Sequence, residues 1–159
     1  VARGGTIPRE WPQPQITEIA PGFSHEGDGW RLTACRATHA QPLLECMAFR
    51  IEAGGRVFVY SGDTGINDEV EALSRDADLL LHWCYRPDEA DATEAMRAMT
   101  PTPSEIAAMA ARNGVKRLML THFRVSMDDE AAHRSALEGM RSEFSGPCSI
   151  AEDLDVIDL

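Results

Sequence analysis

Three short runs constrain this chain more than anything else in it. Val57-Phe58-Val59-Tyr60, Leu79-Leu80-Leu81 and Leu118-Met119-Leu120 are apolar at every position. A strand with one wet face alternates apolar and polar residues; a short run that is apolar on both faces reads as a strand with layers above and below it. Two more segments read as strands: residues 30–38 alternate loosely, and residues 46–51 place Met47, Phe49 and Ile51 on one face. Ala53-Gly54-Gly55-Arg56 supplies a tight turn from the second of these into Val57. Helix signals lie between the strands. Asn67 can cap a helix over 68–75, with Asp68 and Glu69 in its positive first turn. Thr102-Pro103-Ser104-Glu105 carries an N-cap, a proline at the tolerated first position and the glutamate of a capping box, and Gly114 ends that helix. A third helix is expected over 126–141, burying Leu137 and Met140, with closing strands at 148–151 and 156–157. Strands alternating with helices, and a hairpin near the start, predict an α/β fold on a mixed sheet.

Residues 1–15, with Pro8, Pro12 and Pro14 and no apolar periodicity, read as an extended lead-in or linker to a domain over 16–159. The first residue is not methionine and no signal-peptide pattern follows it, so an upstream segment removed from this polypeptide is expected. No apolar stretch approaches the roughly 20 residues of a membrane-spanning helix. Fifteen basic residues, one of them lysine, face 26 acidic ones, a net charge of −11. Such a surface repels phosphate backbones and argues against generic nucleic-acid binding. The four cysteines, Cys35, Cys46, Cys84 and Cys148, form no CxxC pair and read as reduced thiols, which predicts a cytoplasmic protein.

Chemistry concentrates just past three strand ends: Ala37-Thr38-His39-Ala40, Tyr60-Ser61-Gly62-Asp63-Thr64-Gly65 and Leu120-Thr121-His122-Phe123. Ligands collect at strand ends in layered α/β folds, because rigid strands hold side chains and loops give access. Two imidazoles and a carboxylate suit zinc or a similar ion. Each has a plainer explanation as well: a histidine hydrogen-bonded at a strand end, or an aspartate capping a turn.

The segments Val59 through Gly65, Ala77-Asp78-Leu79-Leu80-Leu81-His82, and Gly114 through Phe123 resemble the metallo-β-lactamase superfamily, in the branch of ribonuclease Z and phosphodiesterase-like hydrolases. The resemblance runs from about residue 30 to 125 and continues loosely to the end. It implies an αββα sandwich, of which this chain carries mainly the C-terminal half, with two metal ions at one edge of the sheets. Zinc is the default ion, and manganese or iron would suit the same ligands. By resemblance His39 binds one metal, Asp63 bridges both and His122 completes the second shell. The superfamily's His-x-His-x-Asp-His segment is absent from these 159 residues, since no two of His25, His39, His82, His122 and His133 have its spacing.

The resemblance therefore implies a metal-dependent hydrolase of phosphodiesters or other small esters that is incomplete in this chain. A missing N-terminal half, a partner chain or a second copy would cover the sheet. Two alternatives are a non-catalytic half-fold that binds or dimerises, and ribonuclease Z itself, which cuts transfer RNA precursors at the 3′ side. Alignment with ribonuclease Z puts Thr100 where that family has a leaving-group histidine, and a hydroxyl is a poor proton donor by comparison. His82 matches a strand-end histidine of the family and is a candidate catalytic residue, with a structural role as the alternative. Trp83 and Tyr85 could line a substrate pocket or simply pack. His25, in a glycine-rich loop, and His133, on a helix, are expected at the surface.

Overall fold

A computed structural model describes residues 14–159; the expected lead-in over 1–15 falls almost wholly outside them. Seven strands form one sheet in strict chain order. They are β1 (Ser24–Gly27), β2 (Trp30–Ala37), β3 (Cys46–Ala53), β4 (Arg56–Tyr60), β5 (Leu79–Trp83), β6 (Leu118–Thr121) and β7 (Cys148–Ile150). β1 to β4 pair antiparallel, as short hairpin turns allow, and β4 to β7 pair parallel. The parallel pairs need crossovers, and helices supply them: α1 (Asp68–Ser74), α2 (Glu94–Met99), α3 (Pro103–Arg112) and α4 (Glu130–Glu143). The sheet is thus mixed and the fold α/β, as the sequence predicts.

The core lies on one face. Cys35, Ala48, Val59, Leu80, Leu118 and Leu120 project from the strands against Val70 and Leu73 of α1, Ile106 and Met109 of α3, and Met140 of α4. Period-2 alternation sends Leu32, Phe49, Ile51, Phe58, Tyr60, Leu81 and Met119 to the other face. No helix of α1, α3 or α4 packs there, and Ile51 stays 38% exposed. Among the described residues, Leu154, Ile157 and Leu159 border its β4–β6 portion and line a groove with Phe58, Leu81 and Met119.

Helix ends follow their local chemistry. The Asn67 side chain accepts from Val70 N at 2.9 Å, and the Thr102–Glu105 capping box forms in both directions. Gly114 takes the left-handed φ of 68° that lets the chain leave α3. Four expectations need correction. The helix expected from Ser126 begins at Glu130, because the Asp129 carboxylate caps Ala131 and Ala132 N, and Val125–Met127 forms a 3-10 turn instead. Residues 156–157 form no strand: after Ala151 N donates to Leu120 O, Glu152 and Asp155 close a turn on each other. His25 lies in β1 rather than in a loop, although it is exposed as expected. His133 is half-buried, its ring 5.4 Å from that of Phe123 and its Nε2 3.5 Å from Asp128.

Candidate metal centre

The ends of β2, β4, β5 and β6 are laced together on one edge of the sheet. Thr38 and Gly65 form an isolated bridge, Gly65 N donates to Thr38 O at 2.9 Å, and Thr38 N donates to the buried Thr64 hydroxyl. Ser61 N donates to Leu81 O, Trp83 N donates to the Ser61 hydroxyl, and Cys84 N donates to Thr121 O. The loop bearing Asp63 is therefore tied on one side to the loop bearing His39 and on the other to β5. Gly62, at φ 58°, sits where a β-carbon would strike the Met47 carbonyl, and Gly65 packs against the Ala98 carbonyl of α2. Only glycine allows these approaches.

On this scaffold the His122 Nε2 lies 3.5 Å from Asp63 Oδ2. His122 itself holds a φ of 58°, a left-handed conformation that costs a histidine about 1 kcal/mol. That turn sends Phe123 toward the core and frees His122, 62% exposed, to face Asp63. Trp83 neighbours both histidines, its ring centroid 4.9 Å from His39, edge-on, and 6.3 Å from His122. Tyr85 lies 5.6 Å beyond Trp83 and carries the Arg124 guanidinium over its ring at 5.7 Å. Burial, and then the Asp63 charge, push the Tyr60 hydroxyl and the Cys46 thiol above their ordinary ranges. Both groups thus stay protonated beside the carboxylate at neutral pH.

The structure brings His39, Asp63, His122, Trp83 and Tyr85 to one edge, and it leaves His82 out. His82 shares the core face with Leu80 and Leu120, is fully buried, and its Nδ1 contacts the Trp83 carbonyl at 2.6 Å. A side chain there cannot reach a substrate that meets Trp83 on the opposite face. Burial holds the His82 imidazole down to about 4, from 6.5. Between those values an unfolded chain takes up a proton that the folded one refuses, so stability falls as pH drops through 6.5 and the loss is complete near 4. The total is about 3 kcal/mol. Urea unfolding at pH 7 and pH 4.5 should show this drop, and His82→Leu should remove that share of it. Thr100 also faces inward, its hydroxyl donating to Met96 O at 2.6 Å.

Sequence reasoning passed over Arg124, Tyr60 and Cys46 at this edge. No motif marks Arg124, whereas strand parity from Phe58 and Met47 could have placed the other two. It also passed over α2, whose Ala98 carbonyl walls in the Asp63 loop.

Comparison with known proteins identifies the family. A family model described as a β-lactamase superfamily domain matches residues 2–123. The chain belongs to the metallo-β-lactamase superfamily. It is 40% identical over 100 residues to a ribonuclease Z of Methanosarcina acetivorans, a match covering 63% of this chain and 32% of that protein. A putative ribonuclease Z of Mycobacterium tuberculosis is 28% identical over 155 residues, covering 93% of this chain and 67% of that protein. The metallo-β-lactamase fold protein YhfI of Bacillus subtilis superposes with a TM-score of 0.72 at 24% identity, over 86% of this chain and 52% of that one. The chain thus spans between about a third and two thirds of the curated relatives it matches.

Members of this superfamily typically bind metal ions, and the donors present fit that role in kind. The His39 Nδ1 is buried with no hydrogen-bond partner among the described residues, a state that costs about 1–3 kcal/mol unless something coordinates it. They fall short in number: among the described residues no three His, Cys, Asp or Glu side chains converge on one point.

Proposed function

We propose that this chain is the C-terminal half of a metal-dependent hydrolase that cleaves phosphodiesters or other small esters. The observation that carries the reading is the 3.5 Å approach of His122 to Asp63, with His39 and His122 both beside Trp83. Asp63 offers two carboxylate oxygens and so can serve two ions, while each neutral imidazole offers one nitrogen to one ion. Divalent ions held there supply Lewis acidity and a nucleophile at neutral pH. The chain's own contribution is positional. The Thr38–Gly65 bridge ties the His39 loop to the Asp63 loop, and the Trp83 ring neighbours both imidazoles. Zinc is the ion we assign, since imidazole and carboxylate suit it; manganese and iron accept the same donors.

The remaining ligands are assigned to an N-terminal half, or a partner chain, that covers the open sheet face. A wide apolar face left in water is the physical support for this. Four free thiols fit a reducing compartment, and we assign the cytoplasm. The test is metal per chain by elemental mass spectrometry on the full-length protein purified without chelator. About two zinc-like ions per chain are expected, and none would overturn the reading. In the same assay His122→Ala should lower occupancy at one position and leave the other.

A second reading, transfer RNA processing, draws support from the relatives that carry the name ribonuclease Z. Against it stand the net charge of −11 and the inward-facing Thr100. Cleavage of a precursor transfer RNA by the purified protein would decide for it.

A further inference from the structure

His122 is followed by two residues that part company. Phe123 packs against the core, and Arg124 turns to lay its guanidinium over the Tyr85 ring at 5.7 Å. Tyr85 in turn neighbours Trp83, whose ring is 6.3 Å from that of His122. A cation is thus mounted on an aromatic pair at the flank of the candidate metal centre.

Three properties describe this arginine, the first of them shared with Arg75, Arg97, Arg117, Arg134 and Arg141. It enters no ion pair among the described residues, in a chain where acidic groups outnumber basic ones 26 to 15. Its Nε is buried and has no acceptor there. The guanidinium lies over the Tyr85 ring, and its Nη nitrogens, which can fork onto two oxygens, enter no ion pair among the described residues. A guanidinium placed to hold structure together looks different in this same protein. Arg86 is buried, donates to Thr100 O at 3.0 Å and pairs with Glu105 at 3.1 Å. Arg50 likewise donates to the Leu73 and Arg75 carbonyls at the end of α1.

We propose that Arg124, held over the Tyr85 ring, is the residue that binds the anionic, non-bridging oxygens of the substrate's phosphate. The substrate class is then a phosphoester rather than a neutral ester. A single guanidinium beside the site, on a chain of net charge −11, matches a compact phosphate group better than the extended charge of a polynucleotide. The catalytic consequence rests on the hydrolase reading above, but the binding does not.

Two measurements on the full-length protein keep these apart. The first is binding of inorganic phosphate to chelator-treated protein, followed by calorimetry, where no metal competes for the anion. Arg124→Gln should weaken it by about 10- to 100-fold, the loss expected for hydrogen bonds to a charged group. Arg124→Lys should restore part of it, and Tyr85→Leu should give an intermediate loss. No binding by the unsubstituted protein, or equal binding by Arg124→Gln, overturns the proposal. The second is turnover by metal-loaded protein of bis(4-nitrophenyl) phosphate and of 4-nitrophenyl acetate. Arg124→Gln should raise KM for the phosphodiester by about 10-fold or more and leave the neutral ester within about 2-fold. Equal effects on both esters overturn the proposal. Absence of turnover of either ester by the unsubstituted protein would count against the hydrolase reading alone, and the phosphate-binding result would still decide for or against Arg124.

Discussion

Asp63→Ala in the full-length protein is expected to abolish the paired metal site while leaving the fold intact. The Asp63 side chain is 36% exposed, and its one polar contact among the described residues is His122 at 3.5 Å. Exposed pairs of that kind contribute at most about 1 kcal/mol, so the thermal transition should barely move. Its proposed role is different in scale, since its carboxylate, beside His122, is the one assigned to serve both ions. Loss of one shared ligand should cut metal content by at least half and lower kcat/KM by about 10³-fold or more, equivalent to about 4 kcal/mol in the barrier. Elemental analysis paired with circular dichroism reads both halves of the prediction. Unchanged metal content, or an unfolded variant, would show that Asp63 has another job.

The second large effect is expected from Gly65→Ala, which adds a single methyl group. A β-carbon at this position would run into the Ala98 carbonyl and approach the Met99 Cα, both of them backbone that no side-chain rotation can move. Either α2 shifts outward or the Asp63–Gly65 loop retreats and breaks its bridge to Thr38. Overpacking of this kind costs about 3 kcal/mol, or about 10 °C in the thermal midpoint of a chain this size. A retreat of the loop also separates Asp63 from His39, so metal content should fall together with stability. Ala98→Gly in the same background should not rescue the variant, because it trims a methyl and leaves the obstructing carbonyl. Full rescue would mean that the clash has been misread.

What could be read from the chain alone divides along physical lines. The all-apolar strands, the Asn67 cap and the Thr102–Glu105 box were visible because their determinants are local: apolar runs and side chains within three residues of the backbone they satisfy. The β1 strand, Ser-His-Glu-Gly, carries no apolar signal, since it is a sheet edge whose pairing with β2 owes everything to the partner strand. α2 escaped notice for a similar reason: none of its residues is buried, so it shows no periodicity, and only its Thr93 cap marks it. Two caps competed for one helix, and Asp129 prevailed over Ser126 because its carboxylate reaches two amides.

At the site, the neighbourhood of His39, Asp63 and His122 was legible from strand ends alone. Parity along β5 was legible too, and it separates His82 from Trp83: adjacent residues of one strand point to opposite faces, so a pocket lined by Trp83 cannot also hold His82. Arg124 could not be found this way. Its placement depends on the left-handed turn at His122, and nothing in Thr-His-Phe-Arg foretells that turn.

The strand order has a consequence for how the molecule comes to exist. Because each strand hydrogen-bonds the one made just before it, the sheet can grow in the direction of synthesis, one strand at a time, with no strand waiting for a partner not yet made. The hairpins from β1 to β4 close over short separations and can form early, whereas each parallel addition must wait for its crossover helix. The Asp63 loop follows β4 and His122 follows β6, so the two would meet only after the α3 crossover has been laid down. The candidate centre is therefore assembled late, on a platform already in place.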